Sequence, residues 1–245
     1  MNKNILLSLR YDGTNYHGWQ VQKNALSVQE VFQNAVYEIM RERPDIKGCS
    51  RTDTGVHAEM YCVSMWVDER FADRRLLLSL NAKLPDDIAV YDLRVVPDDF
   101  HARYSCKSKQ YKYYIYNSGT RNPFYARYSL RYYHHLDNVL LNDAAKDYIG
   151  THDFSAFCGS NASSEGTVRT VYDADVVRRG DMVVFTVTAD GFLYNMVRIM
   201  VGTLIRINEG KIPPDGIPDI IRSRDRSMAG QTAPPTGLFL NRVVY

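Results

Sequence analysis

An amphipathic helix with a marked N-terminus, set between two strand-like runs, most constrains how this chain folds. Residues 5–11 are almost wholly apolar and end at the turn Asp12-Gly13, a pattern that predicts a first strand. Ser27 and Glu30 have the spacing of a capping box, which predicts that a helix begins there. Its apolar residues recur at three- and four-residue intervals and predict one buried face: Val28, Val31, Phe32, Ala35, Val36, Ile39 and Met40.

The rest of the chain continues this mixture of strands and helices. Strand-like patterns occupy residues 61–67, 88–96, 110–117, 168–178, 182–190 and 238–245. Helical patterns occupy residues 73–82, 137–149, 192–207 and 215–223, and the composition of 158–167 is that of a loop. The strands follow one another in an order typical of antiparallel sheets, which predicts the α+β class. Two halves of similar make-up predict two sheet-plus-helix domains, 1–105 and 106–245.

The composition limits the classes of protein to which the chain can belong. Its 245 residues are enough to bury a core, and 45% hydrophobic with 24% charged residues is ordinary for a soluble protein. No apolar run could span a bilayer, and the N-terminus has no signal-peptide pattern. The four cysteines are scattered and are expected to be reduced thiols. These features predict a cytoplasmic protein without a membrane association.

The charge pattern allows a nucleic-acid partner only through local clusters, because the net charge is +2. Three basic clusters stand out: Arg41, Arg43 and Arg51; Lys107, Lys109 and Lys112; Arg121, Arg127 and Arg131. Tyrosines interleave the last two clusters, and cations beside aromatic rings suit single-stranded or loop RNA. Alternate tyrosines on a strand are also explained by packing of a sheet face, which this stretch alone favours. The pattern by itself leaves both interpretations open.

No motif for a metal or an organic cofactor is present. The sequence lacks H-x-x-x-H and any Cys/His set with ligand spacing, so no metal is expected. It also lacks the glycine-rich phosphate loops of nucleotide and dinucleotide sites, and the G-x-S-x-G motif of a nucleophilic serine. The isolated histidines His57, His101 and His152 are read as structural or surface residues. The chain is therefore expected to need neither a metal nor a nucleotide cofactor.

The segment 48–58, Gly-Cys-Ser-Arg-Thr-Asp-Thr-Gly-Val-His-Ala, carries the candidate chemistry. It places a cation, Arg51, two residues before an anion, Asp53, between a helix and a predicted strand. A carboxylate in such a loop either bonds to its own turn or is aimed at a substrate. The residue pattern alone favours the first of these roles.

Blocks along nearly the whole chain resemble one family, the tRNA pseudouridine synthase A family. The resembling blocks are the segments 11–22, 28–29, 51–58, 81–88, 99–103, 152–157, 169–170, 191–204 and 235–238. The resemblance implies an α+β fold of two similar antiparallel-sheet domains flanking a basic active-site cleft. It also implies a homodimer that converts uridine to pseudouridine at positions 38, 39 and 40 of the anticodon arm of tRNA.

The same resemblance implies roles for four residues. Asp53 would be the catalytic carboxylate that acts at C1′ of the uridine, and Arg198 would be its counter-ion. Tyr111 would stack against the target base, and Arg51 would help to displace the target nucleotide. Two other classes remain open: a non-catalytic RNA-binding protein with this fold, and an RNA glycosidase that releases uracil. The carboxylate speaks against simple binding, since binding RNA needs no anion facing it.

Overall fold

A computed structural model describes residues 1–159 and 166–245. The strands are β1 (Asn2–Tyr11), β2 (Lys47–Gly48), β3 (His57–Asp68), β4 (Ile88–Val95), β5 (Ser108–Asn117), β6 (Leu130–Tyr132), β7 (Gly150–Asp153), β8 (Val168–Arg179), β9 (Met182–Ala189) and β10 (Leu238–Val244). The α-helices are α1 (Val28–Met40), α2 (Arg74–Asn81), α3 (Asn138–Lys146), α4 (Met196–Asn208) and α5 (Ile217–Ser223). In the described ranges no helix combines the length and apolar character that a membrane crossing requires.

These elements confirm the predicted α+β class. The strands β2, β6 and β7 have two to four residues, too few to show a periodic pattern, and the sequence did not predict them. Helix α4 begins at Met196 and not near residue 192, because Asn195 adopts a left-handed conformation with φ of 60°. Of the predicted loop 158–167, residues 160–165 lie outside the described part of the chain.

The chain divides into two compact units. The first unit consists of Met1–Lys107 together with Phe239–Tyr245, and the second of Ser108–Leu238. The sequence-based boundary at residue 105 assigned the last strand to the second half. The contacts instead place residues 239–245 in the first unit, because β10 pairs in parallel with β3 at Phe239 and Leu240. Pairing between segments so distant in sequence leaves no local pattern that a sequence reading could use.

The sheet of the first unit is built around β1. Strands β3 and β4 flank β1 as antiparallel neighbours, and Ile5 lies opposite Met65 on one side and Val95 on the other. The short strand β2 pairs with the other edge of β3, opposite residues 63 and 64. Helix α1 begins as predicted, with the Ser27 hydroxyl accepting the Glu30 N–H at 3.2 Å. It contacts α2, which packs on β4.

The sheet of the second unit has the order β5-β9-β8-β7, with antiparallel neighbours throughout. Strand β6 adds a short parallel pairing at the end of β5. Along β9 the buried side chains alternate with half-buried ones, as expected for a strand with one face towards a core. Helix α3 packs on β8, and α4 contacts both α3 and β5. Helix α4 thereby becomes part of the core of this unit.

Candidate active site

The Asp53 loop, residues 49–56, connects β2 to β3 in the first unit. It begins with the Cys49 N–H donated to the Cys62 carbonyl at 2.9 Å, which extends the β2–β3 pairing by one residue. It ends in a turn in which the Val56 N–H is donated to the Asp53 carbonyl at 3.1 Å. Gly55, with φ of 76°, takes the third position of that turn, where glycine adopts positive φ without steric cost. Both ends of the loop are thus fixed by local backbone bonds.

The segment that follows β1 holds the middle of this loop. The Trp19 N–H is donated to the Thr52 carbonyl at 3.1 Å, and the Gly55 N–H is donated to the Tyr16 carbonyl at 3.1 Å. The Thr52 hydroxyl lies 2.7 Å from the Tyr11 hydroxyl, and both side chains are buried. Hydrogen bonds therefore fix the backbone on both sides of Asp53. The block 11–22, recognised in the sequence as a signature, acts here as a clamp on the loop.

Two glycines of this clamp allow the close approach. A Cβ atom on Gly18 would overlap the Thr52 carbonyl oxygen, and Gly18 also has φ of 81°. A Cβ atom on Gly13 would overlap the Val56 carbonyl oxygen in the same way. Any side chain at either position would push the clamp away from the loop, since the overlapping atoms belong to the backbone and cannot rotate aside.

A stacked pair of aromatic rings, Trp19 and Tyr61, packs against the start of the loop. The rings of Trp19 and Tyr61 stack with centroids 4.1 Å apart and an interplanar angle of 26°. Both rings are buried, and the Tyr61 hydroxyl donates a hydrogen bond to the Ser50 carbonyl oxygen. Buried aromatic rings with satisfied polar groups form a rigid base, because they have little freedom to reorient. The loop backbone therefore rests on a surface that does not adapt to a substrate.

The carboxylate of Asp53 sits on this fixed backbone. Asp53 is half-buried, whereas Arg51, two residues earlier, is exposed. The neighbouring His57 is buried and lies within 3.0 Å of the Asp12 carboxylate and 3.1 Å of the Gly13 backbone nitrogen. These contacts give His57 the structural role that the sequence reading expected. The geometry presents one half-buried acid beside one exposed cation.

Tyr111 lies on β5 in the second unit. It is 5% exposed and stands opposite Val187 of β9. Its ring meets the ring of Phe192 edge to face, with centroids 5.0 Å apart and an interplanar angle of 85°. Edge-to-face packing fixes the plane of the tyrosine ring. Tyr113 on the same strand is fully buried, so here the interpretation of alternate tyrosines as sheet packing is correct.

Arg198 lies in the first turn of α4, also in the second unit. Its Nε donates to the Ala233 carbonyl at 2.7 Å, and its Nη1 donates to the Asn195 side-chain oxygen at 2.7 Å. The apolar residues around Arg198 in the sequence predict a buried guanidinium, but the residue is half-buried. Burial raises the pKa of Tyr113, and the Arg198 charge opposes that shift. Two short hydrogen bonds hold the guanidinium in one orientation.

Comparisons with known proteins decide the family. The family model described as tRNA pseudouridine synthase matches residues 8–105 and 144–245, which is more than half of the chain. A protein of Thermoanaerobacter sp. (strain X514) named tRNA pseudouridine synthase A is 46% identical over 243 residues, covering 99% of this chain and 100% of that protein. Proteins with the same name from Clostridium acetobutylicum and Exiguobacterium sibiricum are 44% and 38% identical, and this chain covers 100% and 95% of them.

The chain belongs to the tRNA pseudouridine synthase A family. The resemblance drawn from the sequence motifs is therefore confirmed. The roles of individual residues are not tested by family membership and stay predictions. Asp53 and Arg51 share one loop of the first unit, and Tyr111 and Arg198 belong to the second unit. Across residues 1–159 and 166–245, no group of three or more His, Cys, Asp or Glu side chains could hold a metal ion.

Sequence reasoning missed the residues that hold the Asp53 loop in place. It gave no role to Thr52, Trp19 or Tyr61, although the first two lie inside blocks that carry the family resemblance. The signal for Trp19 was the density of glycine and aromatic residues in segment 11–22, which is unusual for a solvent-exposed connection. Tyr61 had no such signal, because an aromatic residue in a predicted strand is ordinary.

Proposed function

We propose that this chain isomerises uridine to pseudouridine in the anticodon arm of tRNA, at positions 38, 39 and 40, with Asp53 as the catalytic carboxylate. The isomerisation of uridine in tRNA follows from the family to which the chain belongs. The three positions and the role of Asp53 are the proposal. The observation that carries it is a half-buried acid on a loop whose backbone is hydrogen-bonded on both sides of that acid.

The reaction exchanges one bond at C1′ for another. The bond from N1 to C1′ breaks, the uracil turns, and its C5 bonds to C1′. The proton on C5 is then lost and N1 gains a proton, so the product has the same composition as the substrate. Cleavage develops positive charge at C1′, which a carboxylate can stabilise, trap as an ester, or relieve by removing a proton from C2′. Asp53 is suited to any of these three tasks.

A fixed carboxylate has an advantage over a mobile one in this chemistry. A preorganised charge stabilises a developing opposite charge without having to reorient as the reaction proceeds. The Trp19 N–H bonds to the Thr52 carbonyl before Asp53, and the Val56 N–H closes the turn after it. The stack of Trp19 on Tyr61 supports the same loop. These contacts favour a catalytic role over that of an ordinary turn residue.

The proposal gives the other three residues the roles implied by the resemblance. Arg198 serves as counter-ion to Asp53, and arginine suits this because it stays protonated when buried. Tyr111 stacks on the target base. Arg51, exposed beside Asp53, helps to displace the uridine, whose extrusion from a helical arm costs a few kcal/mol. The proposal also includes a homodimer in the cytoplasm.

The products formed from an anticodon-arm RNA test this function. The purified protein is incubated with the RNA, and the nucleosides and free bases are separated by chromatography. The proposal predicts pseudouridine at positions 38 to 40 and no free uracil. Free uracil would show a glycosidase, and bound but unchanged RNA would show a protein that only binds. A tRNA with uridines outside the anticodon arm serves as the control for position.

A further inference from the structure

A polar pocket of about 310 Å³ opens in the first unit beside the Asp53 loop. Its lining comes from four places: the end of the clamp and the start of α1, the strand β2 with its preceding turn, the first residues of the Asp53 loop, and the turn after β4. The lining carries three cations, Lys47, Arg51 and Arg103, one exposed ring, Tyr104, and two glutamine amides, Gln20 and Gln29. Arg51 belongs to the lining and Asp53 does not. The pocket therefore adjoins the proposed catalytic loop without containing its carboxylate.

The turn 101–105 forms one wall and is rigid. The His101 N–H is donated to the Ser105 hydroxyl at 3.0 Å, and the Ser105 N–H returns to the His101 carbonyl at 2.9 Å. Ala102 is fully buried, and its N–H is donated to the Ser64 hydroxyl at 3.0 Å. Its carbonyl accepts a hydrogen bond from the Tyr245 hydroxyl at 2.9 Å. The turn is thus attached both to β3 and to the last residue of the chain.

This rigid turn holds an aromatic ring out in solvent. Tyr104 is 78% exposed, and its only described ring partner apart from Arg103 is His101, with centroids 4.4 Å apart. The Nδ1 atom of His101 accepts the N–H groups of Arg103 and Tyr104 at 3.1 and 3.4 Å. A ring that is so exposed adds little to the stability of the fold, but it is available for stacking.

The pocket is also electropositive. Lys47, Arg51 and Arg103 contribute three cations, and Asp45 contributes one carboxylate, which lies 2.5 Å from the Lys47 ammonium. The pKa of His101 is lowered by burial first, and then by the charges of Lys47 and Arg103. A group buried among cations is expected to shift in this direction. Cations, an exposed ring and two glutamine amides together match the phosphate, the base face and the base edge of a nucleotide.

We propose that this pocket binds one unstacked nucleotide of the tRNA substrate other than the uridine that is isomerised. Its phosphate lies among Lys47, Arg51 and Arg103, and its base stacks on Tyr104. The volume suits a single nucleotide, since small-ligand pockets begin at about 300 Å³. A second nucleotide held next to the Asp53 loop would fix the register of the RNA strand. This inference rests on the proposed function for its substrate.

The test measures the affinity of the full-length protein for anticodon-arm RNA. Tyr104→Ala removes the ring and should weaken binding at least about fivefold, the lower end of what one base–aromatic stack contributes. Tyr104→Phe keeps the ring and should bind nearly as the parent does. Tyr91→Ala is the matched control, because Tyr91 is an exposed tyrosine of the same unit, 41% exposed, outside the pocket.

The phosphate contact has its own readout. Arg103→Gln should weaken binding and make the slope of log K against log[salt] shallower by roughly 0.7 to 0.9, the contribution of one phosphate contact. Arg74→Gln, an exposed arginine of α2 outside the pocket, should leave that slope as it is. Thermal melting of each variant checks folding, which should be unchanged because these side chains are exposed.

A third readout identifies the nucleotide. RNAs with a single 4-thiouridine at successive positions are irradiated with the protein, and the cross-linked peptides are identified by mass spectrometry. The inference predicts that the peptide with Tyr104 cross-links from a position other than the isomerised one. It is wrong if Tyr104→Ala and Arg103→Gln bind as their controls do, or if the cross-link comes only from the isomerised uridine. Absence of pseudouridine with these binding effects intact would instead overturn the proposed function.

Discussion

The close contact between α4 and the segment 229–233 leads to a quantitative prediction for Gly202→Ala. A Cβ atom on Gly202 would overlap the Gln231 carbonyl oxygen and lie 2.8 Å from its carbonyl carbon. That segment cannot move freely, because the Gly230 N–H is donated to the Thr203 hydroxyl at 2.8 Å and the Ala233 N–H to the Arg198 carbonyl at 3.1 Å. In the same segment, the Ala233 carbonyl accepts a hydrogen bond from the Arg198 guanidinium at 2.7 Å.

Two opposing effects set the size of the change. Alanine in place of glycine stabilises a helix interior by about 1 kcal/mol, whereas overpacking costs about 1–3 kcal/mol. Relief of the overlap requires the segment to shift and weakens the bond from the guanidinium, a type of bond worth about 1.5–3 kcal/mol. The net expectation for Gly202→Ala is a loss of about 2–4 kcal/mol in the free energy of unfolding. The orientation of Arg198 should suffer as well, so kcat should fall.

Urea unfolding followed by circular dichroism measures this loss. Tryptophan fluorescence does not suit the purpose, since both tryptophans, Trp19 and Trp66, belong to the first unit. Gly119→Ala is the control, because among the described residues no atom outside its two chain neighbours lies within 4 Å of the position of a Cβ atom there, and it should change stability by less than about 0.5 kcal/mol. A Gly202→Ala protein that is as stable as the parent, or more stable, would refute the reasoning.

Three further sets of substitutions test the proposed roles and the RNA interface. Arg198→Met should lower kcat, and more so as the pH falls, because under the proposed pairing the Asp53 carboxylate would lose its counter-ion and be protonated at higher pH; an unchanged pH–rate profile would argue against the pair. Tyr111→Ala should reduce kcat/KM more than Tyr111→Phe, by at least the ~1–3 kcal/mol of a base–aromatic stack, whereas equal losses would assign the role to the hydroxyl. Replacing Lys107, Lys109 and Lys112 together by Gln should weaken tRNA binding and make its salt dependence shallower; an identical salt slope would remove this cluster from the RNA interface.

The sequence predicted the long elements of this fold well because their signals are local. The helix start at Ser27 and the apolar face of α1 need no tertiary information; the structure has the N-cap bond of Ser27 and a buried face on α1. The start of α4 was misplaced since the left-handed Asn195 has no clear sequence signature in an otherwise helical pattern. The place of β10 beside β3 depends on a pairing between residues about 180 positions apart, which only a folded structure reveals.

For the candidate site too, local features could be predicted from the sequence, whereas contacts between distant segments could not. Asp53 could be singled out from the sequence because charged residues framed by glycines stand out between two regular elements. The bond between Thr52 and Tyr11 and the stack of Trp19 on Tyr61 join distant segments and could not be inferred from spacing. The pocket beside the loop was missed for the same reason. Its residues come from four segments, and His101 alone reads as an isolated histidine.

The role of Asp53 is tested most directly by tritium release from anticodon-arm RNA labelled at C5 of its uridines. Asp53→Asn keeps the shape of the side chain but removes its charge and its nucleophilicity. We expect no detectable release from this variant and RNA affinity within a few-fold of the parent. Asp86→Asn, an exposed aspartate of the same unit, should release tritium at the parent rate. Release by Asp53→Asn at the rate of that control would contradict the proposed mechanism.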